Sequence, residues 1–198
     1  MSPWRSKNIN ANYARTDIPL QSERRLQPGI GCLVCCHHRF LIPMFEVALF
    51  EPEIPPNTGN IARLCAATGS RLHLVGKLGF STDDRYLKRA GLDYWEHVDI
   101  HYWDCLESLK AGAFGGRFYY LSTKVTRSYL DICFEPGDYI VFGKETKGLP
   151  EELLEANPAT TITIPMPADK VRSLNLSTSA GIVLYEALRQ VGSLGGSR

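Results

Sequence analysis

Five short runs of β-branched and aromatic residues recur along the chain, and they constrain its fold more than any other feature. They are MFEVALF (44–50), RLHLVG (71–76), FYYLST (118–123), DYIVFG (138–143) and TTITIP (160–165). Such residues suit a pleated, buried surface, and Pro165 stops the last run because it has no ladder donor. A weaker run lies around Val98. Stretches of helical spacing separate the runs. Ile61, Leu64, Cys65 and Thr68 share one face, with Asn57 as the expected cap after the helix-blocking Pro52, Pro55 and Pro56, and with Gly69 as the stop. Asn60 and Arg63 fall together on the opposite face. Short helices are predicted within 82–91, over 104–110 and from about Pro150. The last helix runs from Asn175 to Val191, with Leu176, Ala180, Val183, Leu184, Ala187, Leu188 and Val191 as its apolar stripe and Gly192 as its end. Strands alternating with helices predict an α/β fold with a mainly parallel sheet flanked by helices.

Length and charge narrow the organisation. The 198 residues suffice for one domain and a tail. Residues 1–43 lack either periodicity, are rich in polar residues, Pro and Gly, and read as a disordered basic extension with six basic and two acidic residues. The globular part is expected over 44–192, with 193–198 as a flexible tail and with Met44 as a possible natural start of translation. Net charge is +1, so any nucleic-acid contact has to use a local patch. No run approaches the roughly 18 apolar residues of a membrane span, and residues 1–19 lack the apolar stretch of a secretory signal. Six cysteines without a framework suggest free thiols in a reducing cytoplasm. Cys32, Cys35, Cys36, His37 and His38 form one local cluster, either a zinc-compatible step or incidental thiols, since no second pair lies at finger spacing.

Three polar segments follow predicted strands. The first holds Asn57, Gly59, Asn60 and Arg63, the second is FGKETKGLP (142–150), and the third links Ile164 to the last helix through Lys170, Arg172, Ser173 and Asn175. Ligands of open α/β sheets bind beyond the carboxyl ends of strands, so three such loops are expected to converge on one site. The chain contains no GxGxxG, which leaves a dinucleotide-binding reading with little support, and no GxxxxGK[ST] P-loop.

NTGNIAR, FGKETKGLP and IPM…RSLNLSTSAGIVLYEA, in that order, resemble the three motifs of the SPOUT superfamily of RNA methyltransferases. FEPEIPPNTGNIARLCAATG and DDRYLKRAGLDYW resemble more narrowly the small TrmL-type enzymes that 2′-O-methylate the wobble ribose of tRNA. The resemblance spans Met44 to about Gly192 and implies a single SPOUT-type domain with a C-terminal trefoil knot, a homodimer, tRNA as partner and S-adenosylmethionine as methyl donor without a metal. It places donor contacts at Leu121, Gly143, Ile164 and Ser173, with Met166, Leu174 and Ser177 nearby. Gly143 would let the backbone approach the ligand. Arg63, Asn60 and Asn175 become the catalytic candidates, and Arg63, Glu145 and Arg172 the substrate-binding ones. An arginine is a poor base, so Arg63 is read as a donor fork on the phosphate or ribose of the target. Asn175 and Glu145 each have a structural alternative, as a helix cap and as the holder of a loop donor. The competing functions are methylation of another tRNA or rRNA ribose, and a catalytically silent RNA-binding module.

Overall fold

The computed structural model describes residues 44–80, 97–113, 115–168 and 170–195. The extension 1–43, with its Cys/His cluster, and the helix expected within 82–91 lie outside the described residues.

Six parallel strands form one sheet. They are β1 (Glu46–Phe50), β2 (Arg71–Val75), β3 (Ile100–Trp103), β4 (Phe118–Leu121), β5 (Tyr139–Phe142) and β6 (Thr161–Ile162), in the spatial order β3-β2-β1-β5-β4-β6. The helices are α1 (Pro55–Thr68), α2 (Leu106–Gly112), α3 (Glu151–Ala156) and α4 (Leu176–Gln190). A parallel sheet needs both faces covered, and alternation along the strands provides two cores. Val47, Leu49, Leu72, Leu74, Ile140 and Phe142 pack with Ile61 and Cys65 of α1 and with Ala180, Val183, Leu184, Ala187 and Leu188 of α4. Ala48, Val75, Tyr139 and Val141 pack on the other side with Leu106 and Leu109 of α2 and Leu154 of α3. The stripe expected on the last helix is therefore the face it buries.

Polar pairs close the amino end of the sheet. Glu46, 4% exposed, accepts from Arg71 Nη1 at 3.0 Å and lies 2.6 Å from His73 Nε2. Trp103 Nε1 donates to His73 Nδ1 at 2.9 Å, so the imidazole proton sits on Nε2 and points at Glu46. Asp138, 1% exposed, takes the Arg117 side chain at Nη2 (2.7 Å) and the amides of Arg117 and Glu135. Buried carboxylates with such partners are compensated.

Three expectations are corrected. α1 starts two residues before Asn57, because Pro55 and Pro56 occupy its first two positions, where a missing N–H costs nothing; the cap position is Ile54. The weak strand is Ile100–Trp103, two residues beyond Val98. The run TTITIP yields only the two-residue β6, since its neighbour β4 ends at Leu121 and Thr163 meets Ser128 in an isolated bridge. After α4, Gly192 turns with φ +71°, and Ser193–Gly195 forms one 3-10 turn whose Ser193 Oγ donates to Met44 Sδ.

Candidate functional site

At the carboxyl ends of β4, β5 and β6 lies a cleft of about 490 Å³, within the roughly 300–1,000 Å³ of small-molecule sites. Leu121 to Lys124 form one wall, Phe142 to Leu149 a second, and Thr163, Ile164, Met166 and 172–176 a third. The sheet order reverses between β1 and β5, where a ligand of an open α/β sheet is ordinarily expected. In this chain that crevice is filled by side chains: Lys144 pairs with Glu51, and Glu145 reaches across to the start of α1. The open space is displaced one strand away, toward β4 and β6.

The turn after β5 is the most constrained wall. Lys144 and Gly148 exchange both backbone hydrogen bonds, at 3.2 and 2.8 Å, and Gly148 adopts φ +72°, which suits glycine. A Cβ on Gly143 would lie 2.1 Å from the Gly148 carbonyl carbon and 2.2 Å from the Leu149 nitrogen. Glycine at 143 is thus required by the turn's own backbone, a different reason from the ligand approach the sequence suggested.

Of the residues expected at the donor, Leu121, Gly143, Ile164, Met166, Ser173 and Leu174 all line this cleft, while Ser177 does not. The Ser177 hydroxyl donates to Asn175 Oδ1 at 2.7 Å. Asn175 caps α4, accepting from the amides of Ser177 (2.9 Å) and Thr178 (3.3 Å). Its Nδ2 donates to Asn57 Oδ1 at 3.0 Å, and Asn57 Nδ2 in turn donates to Glu145 Oε1 at 3.0 Å. Asn57, 5% exposed, is therefore a bridge between the second and third polar segments. Glu145 also accepts from the amides of Glu53 (2.8 Å) and Ile54 (3.2 Å), placing negative charge at the amino end of α1 where the helix dipole favours it. Its carboxylate is occupied as a loop holder, the structural alternative left open above.

Two of the three polar loops, the second and third, line the cleft; the first does not, and only its Asn57 touches lining residues, Glu145 and Asn175. Asn60 and Arg63 are exposed on α1 and do not line the cleft of their own chain. Arg172 lines its rim, exposed. Sequence reasoning missed Ser122, Thr123 and Lys124, which sit just beyond β4, and also Thr146 and Glu53. Thr146 donates to Glu53 Oε2 from its hydroxyl (2.7 Å) and its amide (3.2 Å), and these bonds hold the Glu53 carboxyl below the ordinary glutamate range. The adjacency of Glu145 and Thr146 to a glycine turn was the available signal; their partner lies about ninety residues upstream. Among the described residues no group of three metal-ligating side chains comes together.

A parallel three-layer α/β domain with a small-molecule cleft built from the turns after its last strands defines a ligand-using enzyme fold of the open-sheet kind. The chain belongs to the SpoU rRNA methylase family, whose model matches residues 44–185. It is 51% identical over 155 residues to the tRNA (cytidine(34)-2′-O)-methyltransferase of Yersinia pestis, covering 75% of this chain and 95% of that protein. Identity to the enzyme of the same name from Saccharophagus degradans is 50% over 156 residues, covering 77% and 99%. A solved structure concerned with 2-OH methylation of C/U34 on tRNA matches with TM-score 0.71 and 45% identity, covering 76% of this chain and 98% of that one. An AdoMet-bound rRNA methyltransferase from Sinorhizobium meliloti matches with TM-score 0.66 and 26% identity, covering 74% and 56%.

Proposed function

We propose that this chain transfers a methyl group from S-adenosylmethionine to the ribose 2′-hydroxyl of nucleotide 34 in tRNA. The observation that carries the reading is the cleft itself. Leu121, Phe142, Ile164, Met166 and Leu174 offer apolar surface for a purine, while the turn 143–148 offers backbone groups and Ser173 a hydroxyl. The donor set thus fits a nucleoside-containing methyl donor. The relatives named for cytidine-34 2′-O-methylation, near 50% identity over almost their full length, support the substrate, and the AdoMet-bound relative supports the donor.

S-adenosylmethionine supplies a methyl group already activated on a sulfonium. The chain's own task is to seat the donor, hold the ribose in line and keep the acceptor hydroxyl oriented. Leu121, Ile164 and Leu174 would hold the donor's base on apolar surface, and the turn 143–148 would offer it backbone groups. Arg172 and Lys124 at the rim meet RNA phosphate. Arg63 acts as a planar donor fork on the acceptor strand, with Asn60 beside it.

Arg63 and Asn60 lie outside their own chain's cleft, which supports a composite site in a homodimer, where α1 of one copy serves the cleft of the other. Exposed Ile54 (43%), at the cap of α1, and Tyr185 (47%), on α4, support that interface. The C-terminal trefoil knot belongs to the same proposal and rests on the motif resemblance; the lining of one cleft by Thr163, Ile164, Met166 and 172–176 together with 121–124 and 142–149 is compatible with it. A cytoplasmic location belongs to the same proposal and is compatible with tRNA as substrate.

The test is methyl transfer from labelled S-adenosylmethionine to bulk tRNA. Label on a ribose of the anticodon loop is expected; label on a base, or no transfer with donor bound, would overturn the reading. Arg63→Ala is expected to keep donor affinity and lose transfer on the order of a hundredfold, and near wild-type transfer would refute its acceptor-side role.

A further inference from the structure

We propose that Glu53 is a positioning residue for methyl transfer. Its carboxylate and that of Glu145 form a reciprocal clamp that makes the donor-side turn 143–148 and the amino end of α1 move as one body. The proposal rests on the functional reading above.

The clamp is built from both sides. Glu145 accepts from the backbone amides of Glu53 and Ile54, and Glu53 accepts from the amide and hydroxyl of Thr146. Each segment thus binds the other's backbone with an adjacent carboxylate, and charge-assisted bonds of this kind are the stronger sort. Lys144 with Glu51 adds an ion pair across the same junction, and Asn57 with Glu145 a further bond. The two segments leave neighbouring strands, since Leu49 of β1 is in register with Phe142 of β5.

Stiffness lies on both sides of the junction. The connector holds Pro52, Pro55 and Pro56, each with a fixed φ. The turn is closed by its own pair of hydrogen bonds between Lys144 and Gly148. Beyond the connector, α1 is continuous through Asn60 and Arg63. At 1.5 Å rise per residue, Arg63 lies roughly 12 Å along the axis from Pro55, on the same continuous helix that the clamp grips at its amino end. The turn itself is a wall of the cleft. Seating a ligand against the turn therefore sets the place of the acceptor-side arginine.

The fold does not depend on Glu53. Strand pairing and both cores hold β1 to β5 and α1 to the sheet without it, and Thr146 is exposed. A purely structural role would show as lost stability. A positioning role shows as lost turnover with stability and donor affinity retained.

The experiment uses the full chain and compares wild type with Glu53→Ala and Glu53→Gln. Glutamine keeps an acceptor oxygen for Thr146. For Glu53→Ala, kcat on tRNA is expected to fall on the order of tenfold or more. Its S-adenosylmethionine Kd should stay within about threefold and its Tm within about 3 °C. Glu53→Gln should recover kcat to within about threefold of wild type. Amide hydrogen exchange supplies a readout independent of activity. Glu53→Ala should lose protection jointly in 143–148 and in 54–63, and protection of 54–63 on adding S-adenosylmethionine should disappear. Unchanged kcat, a fall matched by lost donor affinity or lost folding, or an exchange change confined to 143–148 would each overturn the clamp. If the wild-type chain transfers no methyl group, the functional reading fails, while joint or confined loss of protection still decides for or against the clamp.

Discussion

Replacing Gly143 by alanine perturbs the donor-side turn at one atom, and the consequence can be worked from distances. The added Cβ would lie 2.1 Å from the Gly148 carbonyl carbon, 2.2 Å from the Leu149 nitrogen and 2.5 Å from the Gly148 oxygen, whereas ordinary contact begins near 3.4 Å. The two limbs of the turn must therefore part by about 1.3 Å. The paired bonds between Lys144 and Gly148, now 3.2 and 2.8 Å, would be carried past useful hydrogen-bond length. Two net hydrogen bonds at about 1 kcal/mol each, with residual overpacking strain, put the loss at about 2–4 kcal/mol. Tm should then fall by roughly 5–15 °C. Calorimetry gives both numbers that matter: the unfolding transition, and S-adenosylmethionine affinity, expected to drop more than about tenfold because the displaced segment is a cleft wall. Gly181→Ala is the control, because a Cβ in α4 meets nothing within 4 Å; it should stabilise by about 0.5–1 kcal/mol. A Gly143→Ala protein with wild-type Tm and donor affinity would refute the reasoning.

The bridging Asn57 gives a second prediction. Asn57→Ala leaves Asn175 Nδ2 without its partner and should cost about 1–3 kcal/mol, whereas Asn57→Asp sets a carboxylate against Glu145 and should cost more at neutral pH. Protonation relieves the repulsion between the two carboxylates, so the deficit of Asn57→Asp should shrink in acid, and denaturant titrations at neutral and acidic pH would show it. Burial pushes the Cys65 thiol up to about 12, so native alkylation should label exposed Cys105 and Cys133 and spare Cys65, as peptide mass spectrometry would report. Thr146→Val removes the largest influence holding the Glu53 carboxyl low; an NMR titration should find its pKa raised toward the ordinary value. Because the folded pKa is depressed in the wild type, the bond contributes above the unfolded pKa and is lost as pH falls through the folded one.

Local chemistry made much of the fold legible. YIVF of β5 is buried throughout, and the stripe of α4 is read directly from its spacing, because both depend on neighbours in sequence. Failures came where a distant partner decides. Asn57 looked like a cap, yet Glu145 satisfies the amides of Glu53 and Ile54 before α1 from 92 and 91 residues away, and that frees Asn57 to bridge. The run 160–165 has strand composition throughout, but the length of β4 limits its ladder. Glycine at 143 was anticipated for the approach of a ligand; that the turn's own return limb also requires it leaves no trace in spacing. The cleft residues came from motif resemblance rather than periodicity, and the loops that carry them are held by side-chain bonds that no local pattern announces.

The central claim is chemical and positional, and alkaline hydrolysis tests both at once. A 2′-O-methyl group removes the nucleophile that cleaves the adjoining phosphodiester. End-labelled tRNA incubated with the protein and S-adenosylmethionine should therefore give a hydrolysis ladder with a single gap after nucleotide 34. A complete ladder under conditions of donor binding, or a gap elsewhere, would contradict the account.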